Sequence, residues 1–283
     1  MAPATVDPAA LEAFARRRRA PLPEVSAFQC PAWPPGALEA TTFVWKRRVI
    51  NESSSVELAE RLLDCAPRTS LNSVPLQAAL QRLRQDEDDH VRLATEFLRR
   101  LGAEAPAVSA TIPAADGEAP LRMMVRYVLT GLYVCEAVSA ARLAAVRTHT
   151  DLPLPLACIE VFLRDEIAHA DLGLLLLPAV LSHCRAEVGA EETQALVESE
   201  LRGTFRHLDQ VVGMDAERQG LTLELRPQPP DNAGVVEPMV DAMAFRQVIH
   251  EQILPRLERL GLDAPYLWRT RTAVSGLVAG RTG

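Results

Sequence analysis

The sequence predicts an all-α protein: two antiparallel helical hairpins joined by a crossover, followed by additional C-terminal helices. Three observations carry that expectation. Apolar residues recur at helical spacing over long stretches, as in Trp45, Val49, Val56, Ala59 and Leu63. Clusters containing Pro, Gly, Ser or Asp divide those stretches at about 66–70, 103–119 and 151–155. No set of alternating segments large enough for a sheet occurs in the 283 residues.

In chain order, residues 1–37 form an N-terminal extension, with a short helical piece at about 8–19 and a stretch ending in Pro34-Pro35-Gly36. Residues 38–181 form the two hairpins. Their first helix runs from about 38 to 65. Ser73 followed by Pro75 reads as the start of the second, which ends near Leu101 at Gly102. The Ala/Pro/Gly-rich connection at 103–119 is long enough to cross the end of a bundle. A third helix spans about 120–147, Asp151 to Pro155 turns the chain, and a fourth runs to about Leu177 with a bend at Pro178. Residues 182–283 form a helical extension packed on the bundle, with helices at about 190–213 and 237–260. Between them lies a polar, Pro-rich segment holding a short extended piece at Leu221–Leu225.

Composition excludes several classes. A net charge of -7 and a pI near 5.5 argue against a general nucleic-acid or anionic-membrane surface. The apolar stretch Leu172 to Leu181 is too short to span a bilayer and contains Pro178. The four arginines Arg16 to Arg19 read as a solvated helix face, and no apolar run follows them as in a secretory signal. Cys30, Cys65, Cys135, Cys158 and Cys184 are odd in number and lack zinc-ligand spacing, so reduced thiols in a cytoplasmic protein are expected.

The chemistry lies in a repeated string, Asp86-Glu87-Asp88-Asp89-His90 and Asp165-Glu166-Ile167-Ala168-His169. In each Asp-Glu-x-x-His, the Glu and His are i and i+3 on one helix face and can reach a single ion. Two copies inside apolar stripes predict two metals in a helical bundle. Such a bundle needs one further Glu from each remaining helix. In an antiparallel hairpin, residues equidistant from the turn lie at equal depth. Glu136 and Glu166 are each 15 residues from Asp151, and Glu136 shares a face with Leu129, Leu132, Tyr133, Ala140 and Leu143. In the first hairpin Glu52 and Glu87 are equidistant from the turn at Thr69-Ser70, whereas Glu57 is displaced by about 7 Å along the axis. Glu52 is therefore the expected ligand and Glu57 the runner-up.

Buried carboxylates without a cation cost several kcal/mol or take up protons. Carboxylates with two imidazoles suit iron or manganese better than thiophilic metals. Metal-bound histidines commonly donate their far N–H to a carboxylate, so Asp86 is expected near His169 and Asp165 near His90. His250 and Tyr133 are further candidates for lining the site. His149, His183 and His207 read as solvated.

The order Glu52, Glu87-x-x-His90, Glu136, Glu166-x-x-His169 resembles the ferritin-like di-iron carboxylate superfamily over about residues 40–180. The doubled Asp-Glu-x-x-His is similar to its oxygen-activating members. Val49-Ile-Asn-Glu52-Ser-Ser-Ser55 and Asp165 to Gly173 resemble stand-alone bacterial ferritin-like proteins. The resemblance implies a ferritin-like four-helix bundle with two Fe ions (or a Mn/Fe pair), bridged by Glu87 and Glu166. It implies catalytic roles for Glu52, Glu87, Glu136 and Glu166. The chain departs from the related aryl-amine N-oxygenases at Phe162, where they place a third histidine. The function expected is a non-haem di-iron oxygenase or oxidase that uses O2 to hydroxylate, N-oxygenate or desaturate a small organic substrate. A reductase or ferredoxin would serve as donor, and a homodimer is compatible with the reading. The alternative is a ferroxidase or peroxide-scavenging iron-handling protein without organic substrate.

Overall fold

In the computed structural model, which describes residues 3–19, 21–108, 117–212 and 231–272, all regular structure is helical, and no strand occurs among the described residues. Helix α1, Pro8–Ala15, starts where the Asp7 carboxylate accepts the Ala9 N–H at 2.9 Å. It ends before the arginine run, earlier than the sequence pattern predicts. Helix α2, Pro35–Cys65, opens with proline in its first turn. In α3, Val74–Arg100, the Ser73 hydroxyl accepts the Leu76 N–H at 3.3 Å, and the chain leaves through Gly102 at φ +74°.

Helix α4, Pro120–Thr148, contains a π-helical stretch at Tyr127–Cys135, which ends at Glu136. Helix α5, Pro153–Val188, runs through Pro178 and past Leu177. An interior proline costs about 3 kcal/mol. Leu176, Leu177, Val180 and Leu181 are all buried around it, and each contributes about 1.5–3 kcal/mol by leaving water, so packing wins. Helices α6 (Ala190–Val211), α7 (238–259, with a π stretch at Ile249–Ile253) and α8 (Ala264–Arg269) follow. The expected extended piece at Leu221–Leu225 lies outside the described residues.

Helix α2 packs on α3, and α4 on α5; α1 lies across α3 and touches α5. The C-terminal helices join the same core, α6 against α4 and α5, α7 against α4, and α8 against α6. By length and composition alone α4 and α5 are apolar enough to cross a membrane. Their apolar faces fill the protein interior instead, around Leu129, Leu132, Phe162, Leu176 and Leu177.

That interior is two apolar clusters, one around Trp45, Phe97 and Phe162 and the other around Leu62, Leu80, Tyr133 and Leu177. On α2 the clusters part between Val49 and Leu58, on α3 between Leu83 and Leu93, and on α5 between Leu163 and Ala170. Each gap holds the carboxylates and histidines singled out by the sequence. The fold thus brackets one polar layer between two hydrophobic ones.

Candidate metal centre

The polar layer brings Glu52, Glu87, His90, Glu136, Glu166 and His169 together, none more than 3% exposed. Their atoms form two sets. Glu52, Glu87, His90 and Glu166 offer one ligand atom each within 4.8 Å of one another, as do Glu87, Glu136, Glu166 and His169. Glu87 and Glu166 belong to both. His90 Nδ1 lies 3.2 Å from both Glu52 Oε2 and Glu87 Oε2. Glu57 stands apart, paired with Arg61 at 3.2 Å in an outer groove.

His169 Nδ1 is 2.8 Å from Glu87 Oε1, yet the angle is not that of a hydrogen bond. Both Glu87 oxygens, Glu166 Oε2 and both His169 nitrogens lack hydrogen-bond partners. Buried polar atoms are rarely left so. Lone pairs aimed at a shared point, with partners missing, are what a cation would satisfy. The clusters therefore fit a metal site, and their O and N donors suit hard or borderline ions.

Each histidine turns its other nitrogen to a carboxylate on the partner helix. His90 Nε2 faces Asp165 Oδ2 at 3.4 Å, and His169 Nε2 faces Asp86 Oδ2 at 3.6 Å. An N–H donated in this direction leaves Nδ1 free to bind. The aspartates are themselves held. Arg17 Nη2 donates to Asp86 Oδ2 at 2.9 Å and Asp165 Oδ1 at 2.8 Å. Arg82 donates to Asp86, and Arg164 to Asp165. The Arg82 guanidinium also holds the Arg17 carbonyl at 2.7 Å, and the Phe14 ring lies 6.2 Å from His169.

The N-terminal segment thus covers the histidine side of the site. Arg17 belongs to the run read as a solvated face, which is corrected here: the helix ends at Ala15, and Arg17 reaches inward to two buried anions. The cue available in the sequence was an unmatched pair, Asp86 and Asp165, that needed cations. Arg19, in the same run, pairs with Asp89.

Comparison with protein-family models, curated proteins and solved structures gives no match. The chemistry rests on this chain's own geometry.

Burial lifts the Glu136 carboxyl to about 8, with the charges of Glu87 and Glu52 adding and a hydrogen bond to Glu166 opposing. Burial and the neighbouring Glu136 push Glu166 well above the usual carboxylate range. Burial acts the same way on Glu87, but the two imidazoles overcome it and hold Glu87 at about 2. Against burial, the carboxylates Glu87 and Asp86 raise His169 to about 9. Asp165, Glu52 and Glu87 likewise raise His90. Without metal the layer accommodates its carboxylates by holding protons.

Other contacts complete the walls. The Ser55 hydroxyl donates to Glu136 Oε1 at 3.3 Å, and Arg48 Nη1 to Glu52 Oε1 at 3.2 Å. Phe162 sets its edge on the His90 ring at 4.8 Å. His250 is exposed against the Trp268 edge and does not join the ligand sets. Tyr133 is fully buried in the π stretch. His207 is exposed, and His183 bonds Ser70.

Proposed function

We propose that the chain is a ferritin-like four-helix-bundle oxidoreductase whose two ligand sets hold a pair of iron ions and use O2 to oxidise a small organic substrate. The observation that carries the reading is the sharing of Glu87 and Glu166 between two buried sets, each completed by its own histidine and its own glutamate. Two such ions supply the electrons that reduce O2.

The protein does the rest. Glu87 and Glu166 would serve both ions, with Glu52 and His90 holding one and Glu136 and His169 the other. Asp165 bonds the His90 imidazole and Asp86 faces that of His169, each with Nδ1 inward. The apolar clusters above and below keep bulk water out. Glu136 carries a proton at neutral pH until a cation replaces it. A groove beside Glu52, described below, favours an organic substrate over iron handling alone.

The test is anaerobic loading with Fe(II), iron counting, and absorbance after adding O2. Two irons per chain with a transient visible band support the reading. Two inert irons favour a structural metal centre, and no tight binding overturns the proposal.

A further inference from the structure

We propose that the groove between α2 and α4 binds a short amphipathic carboxylate, anchored by Arg48. The inference rests on the metal-centre reading and names the class of substrate for it. The groove is a cavity of about 210 Å³, below the roughly 300–1,000 Å³ of drug-sized pockets, and so suits a small acid. It runs alongside the two carboxylates that are not shared: Asn51 and Ser139, which line it, stand one residue before Glu52 and three after Glu136. Opposite, Arg17 and Phe14 cover the histidine side, whereas the α2/α4 face carries a groove beside the unshared carboxylates.

The lining has two characters. Phe43, Val146, Val211 and Val236 give it apolar walls, and Phe43 and Val211 are among the large hydrophobic residues left exposed. Three arginines, Arg47, Arg48 and Arg142, line the groove, and they are not equivalent. Arg142 is held by both oxygens of Asp241 at 2.6 and 2.7 Å. Arg48 has its bond to Glu52 Oε1 and its ring contact with Phe162.

Metal loading changes the balance around Arg48. Two divalent ions would match the four glutamates, while Asp86 and Asp165 already have Arg17, Arg82 and Arg164 as partners. Arg48 is then a cation whose partner has given its charge to the metal. A carboxylate entering the groove gives Arg48 a new counter-charge, with the acid's chain along the apolar wall. Metal and carboxylate binding are therefore coupled, each tightening the other.

The experiment is calorimetric titration of hexanoate, hexan-1-ol and hexylamine into metal-free and Mn(II)-loaded protein, with metal content measured on every sample. Hexanoate is expected to bind at one site, about tenfold tighter in the loaded protein, with the alcohol and amine weaker by a similar factor. Val236→Trp, which fills the groove, and Val211→Glu, which sets an anion at its exposed rim, should each weaken hexanoate at least about tenfold while retaining metal. Arg48→Gln should do the same, with partial recovery in Arg48→Lys. Loaded protein that ignores hexanoate, binds hexanol equally well, or binds hexanoate undiminished in both groove variants overturns the inference and leaves the metal centre standing. Protein that takes up no metal overturns the metal-centre reading. Hexanoate binding lost in the groove variants would then still support the groove, and its absence would remove that as well.

Discussion

Glu136 and Glu57 differ in what surrounds them, and substitution should show it. Replacing Glu136 or His169 by Ala should remove at least one metal per chain, whereas Glu57→Ala, on a carboxylate paired with Arg61 in the outer groove, should leave metal content intact; elemental analysis checks both. Arg17→Gln should lower metal affinity about 10–100-fold, because Asp86 and Asp165 lose the cation that positions them. A chelator competition measures it, with Arg17→Lys restoring part. At this scale the sequence was unusually legible. Spacing and the apolar stripe selected Glu52 over Glu57, because helix periodicity and hairpin symmetry fix depth and face. The habit of metal-bound histidines to donate to a carboxylate paired each aspartate with the opposite histidine. Arg17 was not legible, since it reaches the site from the segment after a short helix whose docking no periodicity encodes.

The long helices were equally readable, and helix interiors were not. The π stretch Tyr127–Cys135 is closely packed on two flanks. An added Cβ at Gly173 would meet the Leu132 backbone at 2.7 Å, while one at Gly131 would meet the Leu58 side chain at 2.6 Å. The difference predicts an order of costs. Gly173→Ala should destabilise by about 1–3 kcal/mol despite alanine's better helix propensity, because backbone cannot turn aside. Gly131→Ala should cost less, since a leucine can change rotamer; thermal melts of the two variants compare them. Pro178 shows the same limit: its local rule was right, and tertiary burial outweighed it. The helix at Ala264–Arg269 also escaped the sequence reading. It is short and is held from outside, by Arg202 on the Thr270 hydroxyl and by the Arg271–Asp209 pair.

For the whole molecule, the protons held by the metal-free layer predict how stability responds to pH. Glu136 titrates near 8 in the folded protein against an ordinary carboxylate value near 4.5, so its favourable proton is lost as pH rises through that interval. His169, raised from 6.5 to about 9, contributes below its unfolded value and loses that contribution over the same rise. Glu87, held near 2, matters only in strong acid. Metal-free protein should therefore melt progressively lower from pH 6 to 9. Metal-loaded protein should not, since cations replace the protons. The gap between the two melting curves should widen with pH, and calorimetry across that range measures it. The Arg17 clasp has a consequence in time as well as in energy. It bonds one aspartate from α3 and one from α5, so it cannot engage until those two helices stand side by side. The double bond of Arg17 to the two aspartates is thus a mark of completed assembly, formed only when both hairpins are in place. An ion held in the layer would then have the clasp lying across its histidine side, as a latch against escape.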